Sequence, residues 1–188
     1  MKSLSALLVI VGLLVSGCAF NPQTATLDPD VFVQASEMGK GQTVALRVVD
    51  DRTSEEIGRR GMGMAKISVE QNLSQLIEEE LTLGLEKKGF SVVEYDADAP
   101  RRLIVELRSI EYETSIGFWT GGVHIKGALK AEAEVGDQEY SEFYRIENER
   151  RVLVNPTAEG NEKMINQGLT DLLNELFEDN DLFKFLAK

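Results

Sequence analysis

The single cysteine and the single histidine limit the chemistry that this sequence can support. The cysteine is Cys18 and the histidine is His124. A body without thiols has no cysteine nucleophile, no disulfide framework and no thiolate metal site. His124 falls on the polar side of an alternating stretch, and a zinc site there would need carboxylates as its other ligands, which is an uncommon set. We therefore expect a surface histidine, and we predict no metal and no cofactor.

Carboxylates are the remaining candidates for acid–base chemistry. Asp50, Asp51 and Arg52 follow a predicted strand, at the kind of strand end where α/β sheets bind ligands. Neighbouring strand residues point to opposite faces, so they form a weak candidate site, and an Asp–Arg pair in a turn is the simpler interpretation. A glycoside hydrolase needs two carboxylates about 5–9.5 Å apart in a cleft. Asp50, Asp51, Glu111 and Glu113 are the residues that such an enzyme would use.

Two glycine-containing stretches carry residue types that are common in binding loops. Residues 57–64 place Arg59 and Arg60 among three glycines, and they could contact a phosphate or an anionic glycan, although neither standard phosphate-binding glycine motif is present. Residues 116–122 place Phe118 and Trp119 between two predicted strands. An exposed tryptophan there would anchor a partner, and a tryptophan packed over the sheet edge is equally compatible with the sequence. We take Arg59, Arg60, Phe118 and Trp119 as candidate binding residues.

The first 18 residues have the pattern of an export signal. Lys2 precedes an apolar stretch over residues 4–15, which has the length of a secretory signal and is too short for a membrane-spanning helix. Residues 15–18, Val-Ser-Gly-Cys, resemble a bacterial lipobox. The resemblance implies that residues 1–17 are removed and that lipid on Cys18 anchors the protein to a membrane. Ala19 after the cysteine resembles the sorting pattern for the outer membrane, with the domain facing the periplasm. The alternative is an ordinary signal peptide that ends near an isolated cysteine.

The charge of the chain excludes one class of partner. There are 32 acidic and 20 basic residues, and the net charge is −12. Such a body is repelled by nucleic acid and by anionic headgroups, so we expect no nucleic-acid partner and no membrane contact through a basic face. The expected partners are the membrane, through lipid on Cys18, and an envelope protein or cell-wall material.

Hydrophobic periodicity predicts the elements of one domain over residues 42–188. Residues 18–41 contain little periodicity and are interpreted as a flexible tether that could reach ~70 Å. Alternating residues predict strands near 44–48, 90–95, 103–112, 123–135 and 140–147, and stripes at three- and four-residue steps predict helices near 69–88 and 156–177. The order β-α-β-β-β-β-α predicts an α+β two-layer sandwich, with one mixed sheet of about five strands and two amphipathic helices on one face.

The sequence also resembles a known family over most of the exported chain. It is similar to the YajG family of bacterial lipoproteins in these segments: Gly17-Cys18-Ala19, the strand ending in Asp51-Arg52, Ile57-Gly58, Leu85 with Gly89-Phe90, the strand 103–107 and the tail 169–186. The resemblance implies an envelope lipoprotein, and it supplies no catalytic residues to carry over. Binding or scaffolding is then the favoured class, by analogy of fold.

Three functions remain open on the sequence. The first is a membrane-anchored envelope lipoprotein with a binding or accessory role and no enzymatic activity. The second is a carboxylate-dependent hydrolase that acts on cell-wall glycan, and the third is an oligomeric secretion or assembly subunit. A cleft with two converging carboxylates would favour the second.

Overall fold

The computed structural model describes residues 21–60, 63–116, 121–152 and 156–188, so Cys18, Phe118 and Trp119 lie outside the described residues. The described residues form eight strands and three helices in chain order: β1 Gln23–Thr24, β2 Thr43–Asp50, β3 Glu56–Arg60, β4 Ala65–Ser68, α1 Leu73–Lys87, β5 Ser91–Glu94, β6 Arg101–Ile116, β7 Gly121–Val135, β8 Gln138–Val152, α2 Ala158–Glu178 and α3 Asn180–Leu186. The fold is the predicted mixed α+β arrangement. The sheet is larger than the five strands expected.

The long strand β6 organises the sheet. One edge of β6 pairs antiparallel with β7 along its whole length, and β8 continues that meander. The other edge pairs in parallel with β2 and then with β3, and β2 also pairs in parallel with β5. A register shift between Leu107 and Ser109 marks the point where β6 changes partner from β2 to β3. β2, α1 and β5 therefore form a parallel strand–helix–strand unit.

The extra strands come from segments that the sequence did not mark as strands. Residues 57–64 are compatible with a loop or a hairpin, and the structure shows a hairpin in which β3 pairs antiparallel with β4, while β1 adds in parallel to β4. Gly58 makes the contact of β3 with β6 possible, because a Cβ at this position would lie 1.9 Å from the backbone oxygen of Tyr112. This glycine therefore serves close backbone approach.

Both long helices pack on one continuous core. Leu81 and Leu85 of α1 and Leu172 and Leu176 of α2 are completely or almost completely buried in the same hydrophobic cluster as the alternate residues of β2, β6 and β7. The helices touch where Gly84 faces Phe177, and a Cβ on Gly84 would lie 2.1 Å from that ring. The predicted helix end is confirmed at Gly89, which adopts a positive φ of 88°. No helix formed by the described residues is long and apolar enough to cross a membrane.

Candidate functional site: a latched N-terminal strap and a groove beside a free strand edge

A buried polar network ties the N-terminal segment to the body of the domain. The Gln23 side chain is 7% exposed, and its Nε2 donates to the carbonyl of Ala158 at 2.7 Å. Its Oε1 accepts from Asn161 Nδ2 at 2.9 Å and from Arg60 Nη1 at 3.1 Å, while Asn161 Oδ1 accepts from the Tyr112 hydroxyl at 2.6 Å. Buried polar groups are costly unless they are paired, so this network favours one position for Gln23. We call Gln23, Arg60, Tyr112 and Asn161 the latch.

Residues 25–33 continue from the latch as an extended segment, which we call the strap. Every second strap residue is directed into the core, as the burial of Ala25, Leu27 and Val33 shows. The amides between them donate to side chains that recur every four residues along α2: Thr26 to Glu162, Asp28 to Asn166, Asp30 to Thr170 and Phe32 to Asn174, at 2.7–3.3 Å. Two extended residues advance about 6.6 Å and four helical residues about 6.0 Å, so the two repeats stay matched over three turns.

The expectation of a flexible tether over residues 18–41 is wrong for the strap and for residues 36–41, which are bonded to the body of the domain. Gln71 holds the backbone of Leu27 from both sides, accepting from its amide at 2.5 Å and donating to its carbonyl at 2.8 Å. Residues 36–41 then bond to the end of α1, for example through the Ser36 amide and the Lys87 carbonyl. The free length after Cys18 is therefore at most the few residues before Gln23, which span no more than about 17 Å.

Replacing Asn166 with alanine is expected to loosen the strap without unfolding the domain. Asn166 makes two strap bonds, because its Nδ2 also donates to the Thr26 carbonyl at 3.0 Å. These bonds are exposed to solvent, so the expected loss in free energy of unfolding is about 1–2 kcal/mol. Amide hydrogen exchange should accelerate at Thr26 and Asp28 while exchange in β7 stays unchanged. Equal acceleration in both places would contradict a local role, and Lys163→Ala, on an exposed side chain of the same helix, is the matched control.

The strand-end residues predicted as a weak site form ion pairs. Arg52 binds Asp50 in a bidentate pair, with Nε–Oδ1 at 2.7 Å and Nη2–Oδ2 at 2.8 Å, as in the simpler interpretation of these residues. The Arg52 hydrogen bonds outweigh partial burial and hold the pKa of Asp50 below its usual range. Asp51 pairs with Arg108, which lies at the register shift of β6 and also contacts Glu106 at 3.0 Å. Both aspartates are thereby engaged by arginines at the point where β6 changes partner.

The structure places the two candidate arginines on β3 and brings one of them near two of the candidate acids. Arg59 bonds to Glu56 at 2.7 Å and to the carbonyl of Gly63 at 3.1 Å, whereas Arg60 belongs to the latch. Arg59, Glu111 and Glu113 all line a depression of about 440 Å³ between β3 and β6. Glu111 and Glu113 are exposed and lie on the same face of β6. Asp50 and Asp51 do not line this depression.

His124 lies where the sequence predicts, on the surface of β7. It faces Glu149 across the β7–β8 pair, with Nε2 and Oε1 3.8 Å apart. Within the described ranges, no three His, Cys, Asp or Glu side chains are grouped so that they could hold a metal ion.

A groove of about 380 Å³ lies between α2 and the β7–β8 pair, near the end of the meander. Val123 and Ile125 of β7 form an apolar part of its lining, and the remaining lining residues are Glu147, Asn148, Glu149, Arg150, Met164, Gln167, Gly168 and Asp171. Gly168 lets the helix approach the sheet here, because a Cβ would lie 2.5 Å from Ile125 Cγ2. The Asn148 amide donates to Asp171 at 2.8 Å and links the strand to the helix.

The strand that borders this groove has one free edge among the described residues. β8 is 15 residues long and pairs with β7 alone. An edge of this length presents a row of unpaired backbone groups, which proteins either protect with charged side chains or use to bind an added strand. Charged residues occupy much of β8, and they include three of the four residues 147–150, which lie directly beside the groove. A free edge next to a groove under a helix is suited to an extended polypeptide.

Asp179 holds the far end of the same strand to the helices. Its Oδ2 accepts from the hydroxyls of Tyr140 at 2.7 Å and Tyr144 at 2.6 Å, and its Oδ1 accepts from the amides of Asp181 and Leu182. Partial burial opposes ionisation, but the hydrogen bonds from Tyr144 and Tyr140 and from these amides outweigh it and hold the pKa of Asp179 below its usual range. Asp179 therefore caps α3 and fixes β8 with one carboxylate.

Comparison with known proteins shows both a family and a fold. A family model described as an uncharacterized lipoprotein matches residues 29–187. The crystal structure of protein XCC0632 from Xanthomonas campestris is 14% identical, with a TM-score of 0.52, and the match covers 87% of this chain and 94% of that one. Lipoprotein GNA1162 from Neisseria meningitidis is 9% identical, with a TM-score of 0.35, over 72% of this chain and 97% of that one. The Xanthomonas structure supports the fold alone, and no curated protein sequence matches the chain.

Proposed function

Because the chain belongs to the family of uncharacterised lipoproteins that the YajG resemblance indicates, we propose that it is a lipid-anchored envelope protein that binds an extended segment of a partner protein. Lipid on Cys18 holds it to the outer membrane, and the domain faces the periplasm. The lipobox-like residues 15–18 and Ala19 support this localisation. The role is binding, with no reaction at the site.

The observation that carries the binding role is the free edge of β8 beside the groove under α2. An added strand would take up the unpaired backbone groups of residues 147–150, which give affinity without regard to side chains. The groove would supply selectivity through the side chains that face α2: Met164 is partly exposed on the helix, and Asn148 and Arg150 lie on the same face of the sheet as Ile125 and Val123. The expected ligand is therefore an extended segment with an apolar residue flanked by polar ones.

The pairing of Asp50 and Asp51 with arginines argues against a role for these two residues in carboxylate chemistry. A general acid needs a carboxyl group whose pKa is raised by its surroundings. Asp50 and Asp51 are held by arginines, and the pKa of Asp50 is lowered. Burial raises the pKa of Glu80, with the nearby Asp28 adding to the effect, but Glu80 lies on α1 beside the strap and away from the depression that Glu111 and Glu113 line.

Site-specific photocrosslinking tests this function. A photoreactive residue at Glu149 should crosslink in cells to one partner, through one contiguous segment that mass spectrometry can locate. A synthetic peptide of that segment should then slow the exchange of the amides of residues 147–151 severalfold in the purified protein. Glu94, an exposed residue of the same type on β5, is the matched control because it lies on the opposite region of the sheet.

Two outcomes would contradict the proposal. The first is a similar set of abundant proteins crosslinked from both positions. The second is a peptide that binds while the exchange of residues 147–151 stays unchanged, because the ligand would then not pair with β8.

A further inference from the structure

We infer that one particular end of the sheet lies against the bilayer surface, with its basic side chains toward the lipid headgroups. This end, which we call the membrane-facing end, consists of residues 58–60, 65–67, 113–116, 121–124 and 149–152. The inference rests on the lipid anchor of the proposed function. It goes beyond that function because it fixes the orientation of the domain and assigns a second contact with the membrane.

Strand register brings these residues to one end. Gly58 of β3 pairs with Tyr112, so Arg60 lies close to the level at which β6 ends at Ile116. Ile116 pairs with Gly121 and Gly121 with Val152, which brings the start of β7 and the end of β8 to the same place. Arg60 pairs with Ala65, which adds the start of β4.

The chain that leads to Cys18 leaves the domain at this same end. Gln23 of β1 pairs in parallel with Ile67 of β4, so the residues before Gln23 run back toward the level of Ala65. The latch fixes Gln23 in the structure, and only four residues lie between it and Cys18. A lipid on Cys18 therefore lies within about 17 Å of the latch. The opposite end is one length of β7 away, about 45 Å.

The membrane-facing end is more basic than the opposite end, as contact with an anionic lipid surface requires. The membrane-facing end carries five basic residues, Arg59, Arg60, Lys66, Arg150 and Arg151, and two acidic ones, Glu113 and Glu149. Arg59 and Lys66 pair with Glu56 and Arg60 belongs to the latch, so Arg150 and Arg151 at the end of β8 are the main basic side chains offered to the lipid. The rest of the chain carries the excess of acidic residues, including Asp96, Asp98 and Asp137 at the opposite end. Each basic residue near an anionic leaflet contributes about 1 kcal/mol. The average charge of the body argues against membrane contact through a basic face, whereas the local charge of this end favours it.

Depth-resolved labelling of the acylated protein tests the orientation. The mature lipoprotein is reconstituted in vesicles of phosphatidylethanolamine and phosphatidylglycerol that contain a spin-labelled headgroup lipid. The body has no cysteine, so Arg151→Cys and Asp137→Cys each give a single site for a fluorophore at an exposed position. The label at position 151 should be quenched severalfold more than the label at position 137. Equal quenching, or stronger quenching at position 137, would overturn the inference.

A charge-matched pair of variants tests the basic contact itself. The double variant Arg150→Glu with Arg151→Glu should lose most of the difference in quenching between a reporter at the exposed position Lys66→Cys and the label at position 137. The control Lys87→Glu with Lys184→Glu makes the same change in charge at exposed positions on the helices, and it should retain the difference. Unchanged quenching in both double variants would overturn the electrostatic part of the inference.

The anchor and the orientation fail in distinguishable ways. Mass measurement of the purified protein reports acylation of Cys18 independently of any label. An unacylated mature chain would overturn the anchor that the proposed function requires, whereas an acylated protein with equal quenching at both ends overturns the orientation alone. Cys18→Ala protein without the signal residues should remain folded and should show little quenching at either position.

Discussion

Replacing Asp179 with alanine should lower the free energy of unfolding by about 3–5 kcal/mol. The substitution removes the N-cap of α3, which costs about 1 kcal/mol. It also deprives two hydroxyls of their acceptor, at about 1–3 kcal/mol for the buried Tyr144 and about 1 kcal/mol for the partly exposed Tyr140. Tyr144 is 6% exposed, so water cannot easily replace the carboxylate there. Urea unfolding monitored by circular dichroism measures the change. Asp181→Ala, at an exposed position in the same turn, is the control and should cost far less.

The effect of Asp179 should also depend on pH with a defined sign. Its pKa is lowered by folding, so the carboxylate contributes stability above its unfolded pKa of about 4, and this stability is lost as pH falls through the lower folded pKa. The difference in stability between the natural protein and Asp179→Asn should therefore be largest at neutral pH and shrink below about pH 4. A difference that grows on acidification would show that the carboxylate is not the stabilising form.

Replacing Asn161 with leucine should cost about 2–4 kcal/mol and release the start of the strap. Asn161 is completely buried, and leucine keeps the branching at Cγ, with bulkier methyl groups, while removing the acceptor for Tyr112 and the donor to Gln23. Unpaired buried polar groups are responsible for the expected cost. Chemical unfolding measures the total, and hydrogen exchange should show faster exchange at Ala25, Leu27 and Asp28 than at the β6–β7 pair.

A double-mutant cycle separates the latch from simple packing. Tyr112→Phe alone should destabilise the protein, but in the Asn161→Leu background it should be neutral or stabilising, because the hydroxyl there has already lost its partner. Additive effects of the two substitutions would mean that the bond between them contributes little, and the latch would then depend on packing alone.

The long elements could be predicted from the sequence because their burial follows one simple period. Leu81 and Leu85 repeat at helical spacing on α1, and Leu103, Val105 and Leu107 repeat at strand spacing on β6. The strap also has a period of two, but Thr and Asp separate its buried residues and one of these buried residues is Pro29, so the sequence pattern is typical of a loop. Its partners are polar side chains four residues apart on a distant helix, and hydrophobic periodicity does not detect such pairing.

Polar pairing between residues that are distant in sequence also limits what could be predicted of the site. The Asp50–Arg52 pair joins residues two apart, so the sequence alone indicates an Asp–Arg pair in a turn. The latch joins Gln23 and Asn161, which are 138 residues apart in the sequence. Gln and Asn carry no signal of their own outside turns and caps. The groove beside β8 could be predicted only by knowing that β8 is an edge strand. That position follows from the pairing of β6, which uses one edge for β7 and the other for β2 and β3. The predictions for Phe118 and Trp119 stay predictions, because both lie outside the described residues.

With the proposed lipid on Cys18, the strap limits how far the domain can move from the membrane. A flexible coil of some twenty residues would have an average end-to-end distance of about 25 Å. Residues 25–33 are instead bonded to α2 along their length, so they add almost nothing to the reach of the domain. The proposed binding site would therefore stay close to the bilayer. A partner located deeper in the cell wall would have to extend a segment toward the membrane to reach it.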